Sequence, residues 1–137
     1  MGTEGNKKEA RRWFEQAEDD LAAAIILREN NKCAQACFYC QQASEKALKA
    51  FWYFFGLDPW GHSILRLMEN LETEELNQEF RTLHDHARIL DRFYIPTRYP
   101  NGLPELIPSD AYGLNDAEQG IQLTKEIVER VQGMIKI

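Results

Sequence analysis

No stretch of this sequence stays apolar over the roughly 18 residues that a membrane-spanning helix needs, so no contact with a membrane is expected. Met1–Arg12 is polar and carries charges of both signs, unlike a secretory leader, which predicts a cytoplasmic protein. Basic residues are too few for a nucleic-acid coat: 16 Lys and Arg stand against 22 Asp and Glu, a net charge of −6. The three cysteines, Cys33, Cys37 and Cys40, are an odd number within one stretch, which argues against a disulfide framework. Their spacing would put the thiols near one helix face, but it lacks the turn geometry and fourth ligand of a zinc site. Buried free thiols are expected there, and no metal. The phosphate loop G-x-x-x-x-G-K-[ST], the dinucleotide fingerprint G-x-G-x-x-G, the zinc motif H-E-x-x-H and a D-x-D metal pair are all missing. No cofactor is expected, and the residues point away from an enzyme with chemistry of its own.

What is present suits one soluble domain spanning residues 1–137, with 44% hydrophobic and 28% charged residues. The acidic excess is uneven. Residues 1–70 hold nine basic and ten acidic side chains, and residues 71–137 hold seven and twelve. An anion site would therefore draw on the first half, or on a few well-placed arginines of the second.

Apolar periodicity predicts helices throughout and no strand. Ala10, Trp13, Ala17, Leu21, Ala24 and Leu27 recur at steps of three or four and predict a helix over about 6–29, stopped by Asn30-Asn31. Residues 32–55 carry two apolar stripes, one through Cys37, Phe38 and Leu48 and one through Cys40, Ala43 and Ala47. A helix apolar over most of its circumference sits at the centre of a bundle. Gly56 and Pro59 end it. Ser63 can cap a short helix over 64–71, and Thr73 can open another whose face runs through Leu76, Phe80, Leu83, Ala87 and Leu90 as far as Phe93. The last helix is expected from about Asn115, whose side chain can cap it, with Ile121, Ile127, Val128 and Val131 inward. The fold class is all-α: an up-and-down bundle of four long helices plus a short one.

Four of the five prolines fall between Tyr94 and Tyr112, which predicts a long irregular loop before the last helix. Arg98 lies in it, where an ordered guanidinium can fork onto phosphate or carboxylate. Tyr94 and Tyr99 offer ring faces for a base. The competing expectation is that Arg98 pairs with Asp91 or Asp110 and pins the loop. On the central helix, Gln42, Lys46 and Lys49 lie on the narrow polar stripe and could line an anion groove. Alternatively they form a solvated face with a Glu45–Lys49 pair. His62 follows a glycine beside a helix start, where it meets ligand or serves as an acid–base group, or else bonds to backbone and fixes the turn. Trp13, Trp52 and Trp60 read as core or interface anchors.

Three stretches together resemble the HEPN family, the higher eukaryotes and prokaryotes nucleotide-binding domains. They are A-E-D-D-L-A-A-A at 17–24, F-Y-C-Q-Q-A-S-E-K-A-L-K-A at 38–50 followed by Gly61-His62-Ser63, and L-D-R-F-Y-I-P-T-R-Y-P at 90–100. The likeness runs from about residue 10 to 132. It implies a four- to five-helix bundle, commonly a homodimer. Small prokaryotic members of this kind are similar to substrate-binding or toxin–antitoxin partners of a minimal nucleotidyltransferase. Other branches are metal-independent ribonucleases with an Arg-x4–6-His motif at a helix start. Here no histidine follows Arg88, Arg92 or Arg98 at that distance. Arg81 and His86 match formally, but ~0.6 such matches arise by chance in a chain of this composition, and the pair is expected inside a helix. Three functions stay open. The first is a module that binds a nucleotide or small phosphorylated ligand and works with a nucleotidyltransferase partner, through Arg98, Tyr99, Tyr94, Lys46, Lys49, Gln42 and His62. The second is a divergent ribonuclease toxin acting on RNA, and the third is a structural antitoxin or adaptor without nucleotide affinity.

Overall fold

In the computed structural model, which describes residues 3–136, helix α1 (Glu4–Glu29) begins where the Thr3 hydroxyl accepts the Asn6 amide. It stops where the Asn30 side chain bonds back to the Ile26 carbonyl and Asn31 turns left-handed at φ 60°. Helix α2 (Cys33–Phe54) then returns antiparallel to α1. Asp20 faces Lys46 and Trp13 faces Tyr53, a register in which seven steps back along one helix match seven forward along the other. Gly56 closes α2 at φ 75°, a conformation that favours glycine; an added Cβ there would lie 3.0 Å from the amide nitrogen of the Asn6 side chain, which would have to shift.

Four short helices follow: α3 (Ile64–Glu69), α4 (Glu74–Gln78), α5 (His84–Asp91) and α6 (Pro108–Ala111). The long α7 (Leu114–Met134) completes the frame, packing against both α1 and α2. Helix α2 is the central element, with Leu48 and Phe51 fully buried and Phe51 edge-on to Phe80 at 4.9 Å. Each such side chain contributes about 1.5–3 kcal/mol by leaving water. Where α7 crosses α2 a Cβ on Gly120 would lie 3.3 Å from the Cys40 sulfur, and Thr124 bonds the Cys40 carbonyl at 3.2 Å. The protein is thus an all-α helical bundle, with no strand among the described residues. None of its described helices is long and apolar enough to cross a membrane.

All three cysteines are buried and free, with Cys37 and Cys40 wholly inaccessible. Burial raises both thiol pKa values, that of Cys40 to about 12.

Three local expectations change. The helix expected to run from Thr73 to Phe93 is divided into α4, a 3-10 turn over Arg81–Leu83, and α5. Arg130 of α7 explains the break: it donates to the Glu79 carbonyl at 2.6 Å and to the Thr82 hydroxyl, so a group that a continuous helix would satisfy internally is satisfied from outside. Arg81 and His86 consequently straddle a helix start instead of lying within a helix. The cap of α7 is Gly113, whose amide donates to the Asp116 carboxylate at 2.9 Å; Asn115 lies in the first turn. The proline-rich stretch is not wholly irregular, since it contains a 3-10 turn over Pro100–Gly102 as well as α6.

Candidate functional site

The polar stripe of α2 is largely covered. Glu45 has a side chain only 6% exposed, and its carboxylate collects three donors: Lys49 Nζ at 3.0 Å, His62 Nδ1 at 3.2 Å and Gln41 Nε2 at 3.2 Å. Gln41 also donates to the His62 carbonyl at 2.9 Å and accepts from Gln42 Nε2 at 2.8 Å. One turn away Lys46 pairs with buried Asp20 at 2.6 Å, and Gln16 donates to the same carboxylate. The expected Glu45–Lys49 pair exists, but not on a solvated face. Both lysines face buried carboxylates, which neutralise them.

Asp91 holds the segment that carries His62. Its carboxylate accepts the Ser63 hydroxyl at 2.8 Å, the Ile64 amide at 2.7 Å and the Leu65 amide at 3.1 Å. It is therefore not the partner of Arg98. Nor is Asp110, which accepts the Ile107 amide. The His62 ring lies between Glu45 and the Tyr94 ring, stacked on the latter at 4.9 Å with 20° between planes. With Nδ1–H directed to Glu45, Nε2 is left free on a ring that is 59% exposed.

Arg98 completes the cluster. Its Cζ lies over three rings, those of Phe38 at 4.4 Å, Tyr94 at 4.7 Å and Tyr99 at 5.3 Å, and its Nε donates to the Tyr94 carbonyl at 2.8 Å. Among the described residues no carboxylate reaches it. Rings at these distances hold the guanidinium by cation–π attraction, leaving its two terminal nitrogens for an anion. The fold thus brings together His62, Tyr94, Tyr99 and Arg98, joins Lys49 and Gln42 to them through Glu45 and Gln41, and sets Lys46 apart on Asp20. Sequence reasoning missed Glu45 and Gln41 as the hub, Phe38 as a floor for Arg98, and Asp91 as the clamp.

A family model described as HEPN domain matches residues 10–134. The chain belongs to the HEPN domain family. Among its relatives is "Putative toxin MJ1304" of Methanocaldococcus jannaschii, 26% identical over 146 aligned positions that cover 96% of each chain. Among solved structures, TT1696 from Thermus thermophilus is 36% identical with a TM-score of 0.84, over 90% of this chain and 96% of that one. ST0689, described as an archaeal HEPN homologue, is 34% identical with a TM-score of 0.76, over 93% and 98%. In this HEPN chain the formal Arg81–His86 match does not assemble a pair. Arg81 binds Glu74 at 2.6 Å on the surface, while His86 binds Glu126 of α7 at 3.0 Å. The hydrogen bond from His86, with a second from Gln122, holds the Glu126 carboxyl below the usual carboxylate range.

Proposed function

We propose that this HEPN chain is a nucleotide-binding helical module that works with a nucleotidyltransferase partner as one half of a toxin–antitoxin pair. The family and a relative named as a toxin support a nucleotide-related or toxin-like role. The observation that carries the finer reading is Arg98, a cation seated on three aromatic rings with its fork unengaged by any carboxylate among the described residues. Phosphate meets Arg98, the exposed ring of Tyr99 stacks on the base, and His62 contributes a further polar edge. Lys49 acts less directly, by neutralising Glu45 of α2 beside the anion, and Lys46 stands further off, paired with Asp20 of α1. The homodimer belongs to the same proposal: besides Tyr99, four of the seven exposed large apolar side chains among the described residues, Ile95, Leu106, Ile107 and Leu114, fall in one stretch.

Calorimetric titration with AMP and ATP tests the reading. Charge-assisted hydrogen bonds of this kind are worth about 1.5–3 kcal/mol, so Arg98→Ala should weaken nucleotide binding on the order of tenfold or more. Unchanged affinity removes Arg98 from the site.

A second reading has its own support. A carboxylate on Nδ1 with a free Nε2 is the arrangement of an oriented general base. At a bound RNA, Nε2 of His62 would take the proton of a 2′-hydroxyl as that oxygen attacks the adjacent phosphate; the bond to the 5′ oxygen breaks, that oxygen takes a proton from water, and a cyclic phosphate and a free 5′-hydroxyl result, with Arg98 on the phosphoryl oxygens. Under this reading a short RNA is cut in the presence of EDTA, and His62→Ala lowers the rate at least 100-fold. Intact RNA with the wild-type protein rules it out.

A further inference from the structure

A hollow of about 450 Å³ opens beside His62, lined by Trp52, Trp60, His62, Arg66, Leu67 and Asn70. Trp60 is 83% exposed, although burying an indole is among the most favourable things a fold can do with it. Its exposure is built by ordered backbone. Pro59 precedes it, and Gly61 follows at φ 87°. A Cβ at Gly61 would meet nothing within 4 Å, so conformation and not crowding requires the glycine. Two residues on, Ser63 is clamped by Asp91 at 2.8 Å. The chain therefore holds the indole out between two fixed points. Opposite, Trp52 is anchored through Nε1 to the Leu67 carbonyl at 2.9 Å. Among the described residues no carboxylate lines the hollow, and Arg66 brings a positive charge whose only described partner is Glu69 in a surface pair.

We infer that this hollow is a second nucleobase subsite, so that the ligand is a dinucleotide unit of a single strand and not a mononucleotide. The inference rests on the proposed nucleotide reading and names its substrate class. One base stacks at Tyr99 beside Arg98, the internucleotide phosphate lies by His62 and Arg98, and the next base stacks on Trp60 with Asn70 at its edge. His62 is the wall shared by the two subsites: it lines the hollow and also stacks on Tyr94, the ring beneath Arg98. An indole, an amide and an arginine whose one described carboxylate partner, Glu69, lies outside the lining are what a base with its phosphate selects, by stacking and charge together.

The test is titration of AMP and of the deoxy dinucleotide d(ApA), which cannot be cleaved through its sugar, against wild type, Trp60→Ala, Trp60→Phe and Arg98→Ala. Base–aromatic stacking predicts that Trp60→Ala weakens d(ApA) on the order of tenfold while leaving AMP unchanged, with Trp60→Phe retaining most of the affinity. Arg98→Ala should weaken both ligands. Equal d(ApA) affinity in wild type and Trp60→Ala overturns the subsite, and so does an equal loss for AMP and d(ApA). Trp60-dependent d(ApA) binding that ignores Arg98→Ala keeps the subsite and overturns the Arg98 reading. Failure of both ligands to bind wild type overturns both.

Discussion

Glu45→Ala is expected to destabilise the protein by about 3–5 kcal/mol, the cost of removing one partner from a buried ion pair. Lys49 would be left with its ammonium in a site where it is 11% exposed and 3.0 Å from an empty position. Gln41 would lose an acceptor at the same time. For a chain of this size such a loss lowers Tm by roughly 10 °C or more. Thermal unfolding followed by circular dichroism reads it directly. The paired change Glu45→Leu with Lys49→Met separates charge from packing, since replacing a whole buried pair by apolar groups is often neutral. Recovery of most of the stability in the double variant is the expected result. A single-variant loss below about 1 kcal/mol would mean that water already solvates Lys49.

Asp91→Ala is expected to cost about 2–4 kcal/mol, because one carboxylate serves the Ser63 hydroxyl and the amides of Ile64 and Leu65. The effect should exceed that of Ser63→Ala, which removes an ordinary cap worth about 1 kcal/mol. Urea unfolding of the two variants provides the comparison. The larger consequence is local. Residues 61–63 carry His62, and their release should take its ring off Tyr94, so nucleotide affinity falls along with stability. Equal losses for the two variants would show that the amide bonds contribute nothing beyond the hydroxyl.

Much of the frame was legible because it depends on neighbours in sequence. The long helices follow from apolar spacing, and their ends from Asn31, Gly56, Ser63 and Thr73, each a local signal that the structure uses as such. What was not legible depends on partners far along the chain. Arg130 breaks the helix expected after Thr73 from about fifty positions away, and no periodicity in 73–93 encodes it. Glu45 and Lys49 have the spacing of a solvent-facing pair. Burial came from elements outside α2, the segment around His62 and the indole of Trp13, which lies 5.7 Å from the Lys49 ammonium. The site shows the same division. Arg98, Tyr94 and His62 were individually readable as residue types suited to a nucleotide, but their meeting depends on Asp91, whose carboxylate reaches across from the end of α5. Phe38 counted as one more position in an apolar stripe, and only the loop's return over it shows that it carries the guanidinium.

The inaccessible thiols of Cys37 and Cys40 have a kinetic consequence. Reagents that modify thiols act on the thiolate, and burial keeps both sulfurs protonated as well as covered. Modification can proceed only through molecules that have opened around the centre of α2. The rate at which an alkylating reagent enters these positions therefore reports how often the bundle opens when alkylation outpaces reclosing, and the fraction open when it does not. Each variant described above can be timed by this intrinsic clock without attaching a probe.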